Sequence, residues 1–388
     1  MNVSFPRTSL ALMAAVAALT SAACTDNNAS KESAKGAIEV TSTEEACELS
    51  ATTAESGNLA FEVTNKGSRV TEFYLLGEDR LRIVGEVENI GPGITRRLVL
   101  TAPPGKYATA CKPGMTGDGI QAAFTVTDSG KPLAPDGKVG DLLDQASTQY
   151  VAYVRDQVQQ LVTATSAFAD AYKAGRDDEA RSMYAPARVH WERIEPVAES
   201  FGDLDPRMDL READLEPDQQ WTGWHRIEKD LWPPASGYTA LTPAERATVA
   251  DQLVADTAEL SSRVQTLELT PDKLGNGAKE LLDEVATGKV TGEEETWSHT
   301  DLWDFQANVD GARVAFENLQ AVVEIKEPKL ATTLTRRFGE VQTLLDRYRE
   351  GDGFITYDKL TPPQVKELSD AVNALAEPLS RLTEVVVS

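Results

Sequence analysis

The spacing of apolar positions changes once along the chain, near residue 130. From about residue 38 to 127, short runs alternate apolar and polar positions with a period near two. They are Ala37-Ile-Glu-Val-Thr, Leu59-Ala-Phe-Glu-Val-Thr-Asn, Glu72-Phe-Tyr-Leu-Leu, Leu81-Arg-Ile-Val-Gly-Glu-Val, Thr95-Arg-Arg-Leu-Val-Leu and Ala122-Ala-Phe-Thr-Val-Thr. Asn65-Lys-Gly-Ser, Gly91-Pro-Gly and Pro103-Pro-Gly-Lys lie between them and supply turns. Such strands predict a small β-sandwich over 38–128. Gly130-Lys-Pro-Leu-Ala-Pro-Asp-Gly reads as a linker over 129–140.

From 141 to 388 the period becomes 3.6. Amphipathic helices are predicted over 141–174, 178–200, 215–230, 243–268, 271–287, 299–324, 327–349 and 362–385, an all-α bundle. Thr242-Pro243, Thr270-Pro271 and Thr361-Pro362 are cap-plus-proline helix starts. Ala187-Arg-Val-His-Trp-Glu-Arg-Ile-Glu-Pro-Val echoes Ala312-Arg-Val-Ala-Phe-Glu-Asn-Leu-Gln-Ala-Val, as two four-helix halves related by duplication would.

The first residues follow a third pattern. Arg7 precedes an apolar run from about Ser9 to Leu19 and then small residues to Ala23, which reads as a signal peptide over 1–23. The run is too short to span a bilayer as a mature helix. Leu19-Thr-Ser-Ala-Ala-Cys24 resembles a bacterial lipobox, with Ser21 where an aliphatic residue is usual. Lipidation at Cys24, followed by a polar tether over 24–37, is the expectation. It places the protein outside the cytoplasm, in the periplasm or on the outer face of the cell membrane, held by a lipid anchor.

Charge narrows the partners. The 62 Asp and Glu against 38 Lys and Arg give a net charge of −24, which excludes nucleic acid and favours cations. The chain has three His, at 190, 225 and 299, and six Trp, all after residue 189. His225 and Glu228 are spaced i, i+3, as are Glu192 and Glu195, so on a helix each pair shares a face. Carboxylate bundles gather Glu and His inward in this way to hold iron. The expected ligands are Glu192, Glu195, His225, Glu228 and an acid from Glu293/Glu294, with Asp209 closing the site from a loop. Carboxylates with one imidazole suit iron or manganese better than copper(I), and the tryptophans would exclude water around them.

No catalytic residue is expected. His225-Arg-Ile-Glu228-Lys229 has Lys229 where either zinc-protease helix pattern needs a second His. The sandwich has no His, which excludes a blue-copper centre. Its Cys47 and Cys111 either form a disulfide or, with Met115 and Glu72, build a soft metal site in which Cys-x-x-x-Met favours copper.

The strings His190-Trp-Glu-Arg-Ile-Glu-Pro, Trp224-His-Arg-Ile-Glu-Lys and His299-Thr-Asp-Leu-Trp-Asp-Phe-Gln-Ala-Asn-Val, in this domain order, resemble the EfeO family. The resemblance covers essentially the whole mature chain. It implies a cupredoxin-like sandwich followed by an imelysin-like helical domain. It also implies the iron-binding component of a ferrous-iron uptake system, working with a membrane iron permease and a haem-peroxidase-like protein. The His-x-x-Glu motif falls on His225 and Glu228, with carboxylates at Glu192, Glu195, Asp209 and the Glu293/Glu294 segment. A second site in the sandwich would use Cys47, Glu72 and Cys111. A zinc-dependent peptidase and a cell-surface scaffold are the competing readings. If Cys24 carries the anchor, Cys24→Ala moves the exported protein from the membrane fraction to the soluble fraction. Unchanged partitioning would contradict lipidation.

Overall fold

The computed structural model describes residues 36–133, 135–215 and 219–388. The expected signal peptide, Cys24 and most of the tether lie outside the described residues, as do 216–218 within the helix expected over 215–230. Nine strands build the sandwich: β1 (Ile38–Ser42), β2 (Cys47–Leu49), β3 (Thr53–Glu55), β4 (Gly57–Asn65), β5 (Thr71–Gly77), β6 (Ile83–Ile90), β7 (Thr95–Ala102), β8 (Gly105–Cys111) and β9 (Ile120–Thr127). One sheet has the order β2-β1-β4-β7 and the other β3-β9-β8-β5-β6. Alternation puts Phe61, Phe73 and Phe124 between the sheets, with ring centroids 5.1 and 5.7 Å apart. Three strands were not expected: β2 and β3 are only three residues long, and β8 follows a Pro-Pro-Gly turn with small residues.

Cys47 on β2 and Cys111 on β8 form a disulfide that links the two sheets. This corrects the soft-metal reading, because neither sulfur is a free thiolate. The other supposed ligands do not gather there either. Phe73 and Cys111 face the inner core, whereas the next residues along, Tyr74 and Ala110, belong to the opposite face. Glu72 lies on that outer face, where it accepts a hydrogen bond from Tyr74 Oη at 2.7 Å. Met115 is exposed.

The helical region comprises α1 (Lys138–Lys173), α2 (Asp177–Glu192), α3 (Leu204–Asp209), α4 (Trp224–Leu231), α5 (Pro243–Arg263), α6 (Pro271–Thr287), α7 (Asp301–Lys326), α8 (Pro328–Leu345), α9 (Pro362–Leu379) and α10 (Leu382–Val387). Thr242 with Glu245, and Thr361 with Gln364, form capping boxes at the predicted starts. The helix expected over 178–200 instead breaks after Glu192, and a 3-10 segment runs Glu195–Phe201 around Pro196. Its counterpart in the sequence echo, α7, continues unbroken to Lys326. No described helix is long and apolar enough to cross a membrane.

Polar contacts fasten the sandwich to α6 and α10. Thr101 N donates to Asp272 Oδ2 at 2.9 Å, Asn276 Nδ2 to Val99 O at 2.8 Å, and Arg97 pairs with Glu384 at 3.1 Å. Replacing both Cys47 and Cys111 by Ser should cost the sandwich about 2–4 kcal/mol, read by denaturant unfolding. Reactive thiols at these positions in exported protein would contradict the bridge.

Candidate metal centre

Helix α4 carries the imidazole. Gly223 stands before it at φ 87°, and a Cβ there would collide with the Met208 carbonyl, so only glycine lets α4 start against the end of α3. Trp224 then buries its ring against Phe168 and Tyr184, with centroids 5.2 and 5.8 Å away. That anchor points His225 and Glu228, both almost fully buried, at the turn containing Glu294 and Glu295.

His225 Nε2 lies 3.3 Å from Asp209 Oδ1 and 3.5 Å from Glu294 Oε1, while Nδ1 lies 3.4 Å from Glu228 Oε2. Nε2 nevertheless meets no partner at hydrogen-bonding geometry. Two overlapping groups each place their ligand atoms within 4.8 Å of one another: Asp209, His225 and Glu294, and His225, Glu228 and Glu295. Neighbours fix the carboxylates. Trp191 Nε1 donates to Asp209 Oδ2 at 2.7 Å. The Trp297 and Ser298 amides donate to Glu228 Oε1 at 3.0 and 2.7 Å.

The expected Glu192/Glu195 pair is arranged differently. The broken helix still brings both carboxylates together, but Lys289 Nζ sits between them, 3.0 Å from Glu192 Oε2 and 2.7 Å from Glu195 Oε1. Asn308 Nδ2 donates to both, at 2.9 and 2.6 Å. Gly277 on α6 permits this packing, since a Cβ would strike the Pro196 carbonyl. Glu293 is exposed and pairs with Arg211 at 3.0 Å, so of the Glu293/Glu294 pair only Glu294 faces the imidazole. His190 contacts Gln157 at 2.9 Å.

A second cation completes the cluster. Arg188 is fully buried and touches Glu192 and Asp209. It also lies 2.8 Å from Glu295, 3.4 Å from Asp304 and 3.5 Å from Glu294. Arg188, Lys289, Glu295 and Asp304 were not anticipated. Glu295 was legible as the third acid of Glu293-Glu-Glu, and Arg188 as the residue one helical turn before Glu192.

Burial alone would raise the carboxyls of Asp209, Glu228 and Glu294. Arg188 and His225 outweigh it at Asp209, His225 and the two amides at Glu228, and Lys289 and His225 at Glu294. All three therefore stay below the usual carboxylate range, Glu294 at about 2. Burial prevails at Glu195, Glu295 and Asp304, which are pushed well above it. Burial and Arg188 oppose charge on His225, yet the carboxylates of Asp209, Glu228 and Glu294 lift its pKa well above the ordinary value. The metal-free centre is therefore a protonated His225 ringed by ionised carboxylates, and a cation that binds its nitrogen must displace a proton.

Family comparison agrees with both halves of the fold. A cupredoxin-like domain model matches residues 10–126, and the imelysin model, a peptidase M75 family, matches 146–382. Proteins named iron uptake system component EfeO, from Escherichia coli O157:H7, E. coli K12 and Shigella flexneri, are each 38% identical over 397 residues, spanning 100% of this chain and 99% of theirs. The chain belongs to the EfeO family. Despite the peptidase designation of the imelysin family, the position that would need a second His is Lys229. Its ammonium pairs with Glu212 and lies 5.1 Å from the Trp297 ring centre.

Removing one partner from a buried ion cluster leaves uncompensated charge. Arg188→Met should therefore destabilise the metal-free protein by about 3–5 kcal/mol in urea unfolding. A change below about 1 kcal/mol, the worth of an exposed pair, would contradict its central place in the cluster.

Proposed function

We propose that the protein is the extracytoplasmic iron-binding component of an iron uptake system, and that it acts by ligand exchange rather than catalysis. Iron is its cargo, held by His225, Glu228, Asp209, Glu294 and Glu295, while Glu192 and Glu195 are taken up by Lys289. The observation that carries this reading is the convergence of the carboxylates of Asp209 and Glu294 on the buried Nε2 of His225, which has no hydrogen-bond partner and which a cation would reach by displacing its proton. An oxygen-rich set with one imidazole and no sulfur suits Fe2+ and Fe3+ and disfavours copper(I). Full-length similarity to proteins named iron uptake system components supports the same cargo. The captured ion passes to a membrane permease, alongside a haem-peroxidase-like partner, while a lipid at Cys24 keeps the protein near the membrane.

Anaerobic Fe2+ titration of the purified protein tests the site. Losing an outer partner of a metal ligand typically costs 10–100-fold in affinity, so His225→Ala with Glu228→Gln should cost at least about 100-fold. Unchanged affinity in that double variant would overturn the assignment.

A further inference from the structure

A cleft of about 370 Å³ separates the sandwich from the helical region. Glu86, Glu88 and Met115 line it from the sandwich, and Glu280, Glu284 and Glu293 from the helical side. Asp209 and Glu294 line the same cleft, with side chains only 9% and 6% exposed, and both stand within 3.5 Å of His225 Nε2. The cleft thus runs from solvent to two members of the metal centre.

Arg211 stands across that route. Its Nη1 lies 3.0 Å from Glu293 Oε1 and 3.5 Å from Glu294 Oε2, and its Nε lies 2.7 Å from Asp214 Oδ2. Glu294 is therefore shared: Oε1 faces His225 and Oε2 faces the guanidinium. Unlike Arg188 and Lys289, which are sealed in the interior, Arg211 is 28% exposed and can swing outward.

We propose that the cation reaches His225 through this interdomain cleft and that Arg211 closes it, releasing Glu294 when the ion arrives. The proposal rests on the iron-binding reading above and gives the sandwich a role that needs no metal of its own: it supplies one acidic wall. Acids on both walls of a low-dielectric cleft concentrate cations and speed their association, an effect that salt screens. The Arg211 guanidinium opposes the incoming ion until its pairs with Glu293 and Glu294 exchange.

Anaerobic stopped-flow mixing of the full chain with Fe2+, followed by tryptophan fluorescence, tests this directly. Glu88→Gln with Glu280→Gln, one acid from each wall, should slow association about threefold to tenfold at low ionic strength. The difference should vanish in high salt, with dissociation unchanged. Glu340→Gln with Glu367→Gln, remote from the cleft, should have no effect. Arg211→Gln should speed association and dissociation together. Unaltered association in the wall variant, or faster dissociation alone in Arg211→Gln, would overturn the path. A wild-type protein that binds no Fe2+ would instead remove the iron reading itself.

Discussion

The structure depends on how buried negative charge is balanced within the helical region. Glu192, Asp209, Glu228, Glu294, Glu295 and Asp304 have side chains almost wholly withdrawn from water. Their desolvation would expel them from the core were Arg188 and Lys289 not buried among them. Burial favours the neutral form of Glu295 and Asp304, and Arg188, Lys289 and the protonated His225 balance the charge on the others. Asp209, Glu228 and Glu294 surround His225, where an added dication would replace the ring proton and meet ionised oxygens and a nitrogen. The fold thus tolerates the cluster without metal.

Distribution of the cations divides the cluster into two parts. Lys289 and Asn308 saturate Glu192 and Glu195, so that pair resembles a site already occupied by a tethered ammonium. Arg188 reaches both parts and fixes their spacing. At the cleft, Arg211 does a weaker version of the same thing, pairing with Glu294 from the solvent side. The sandwich contributes a disulfide between its sheets and, through Glu86 and Glu88 of β6, one wall of the cleft. Structural neutralisation, and on the proposed reading cation capture, fall to neighbouring carboxylates of the same cluster.

Much of this was legible in the sequence. Periodicity separated sandwich from bundle, and the Thr-Pro starts of α5, α6 and α9 were written in local cap chemistry. Scarce His beside Trp and paired acids pointed to the buried cluster around His225, because His225 and Glu228 lie on one short helix. What escaped was non-local. The insertion of Lys289 between Glu192 and Glu195 depends on a segment almost a hundred residues away. One local signal was missed as well, since Pro196 ends α2 where the apolar periodicity continues. Two cysteines 64 residues apart could equally bridge or bind metal, and only the register of β5 against β8, which sends Cys111 inward and Glu72 outward, decides it.

Anomalous diffraction at the iron edge from iron-loaded crystals would show where the proposed cargo binds. Iron held at His225 gives one strong peak within coordinating distance of Nε2, bounded by Asp209, Glu228 and Glu294. A peak between Glu192 and Glu195 in place of the Lys289 ammonium, or iron confined to the sandwich, would contradict it.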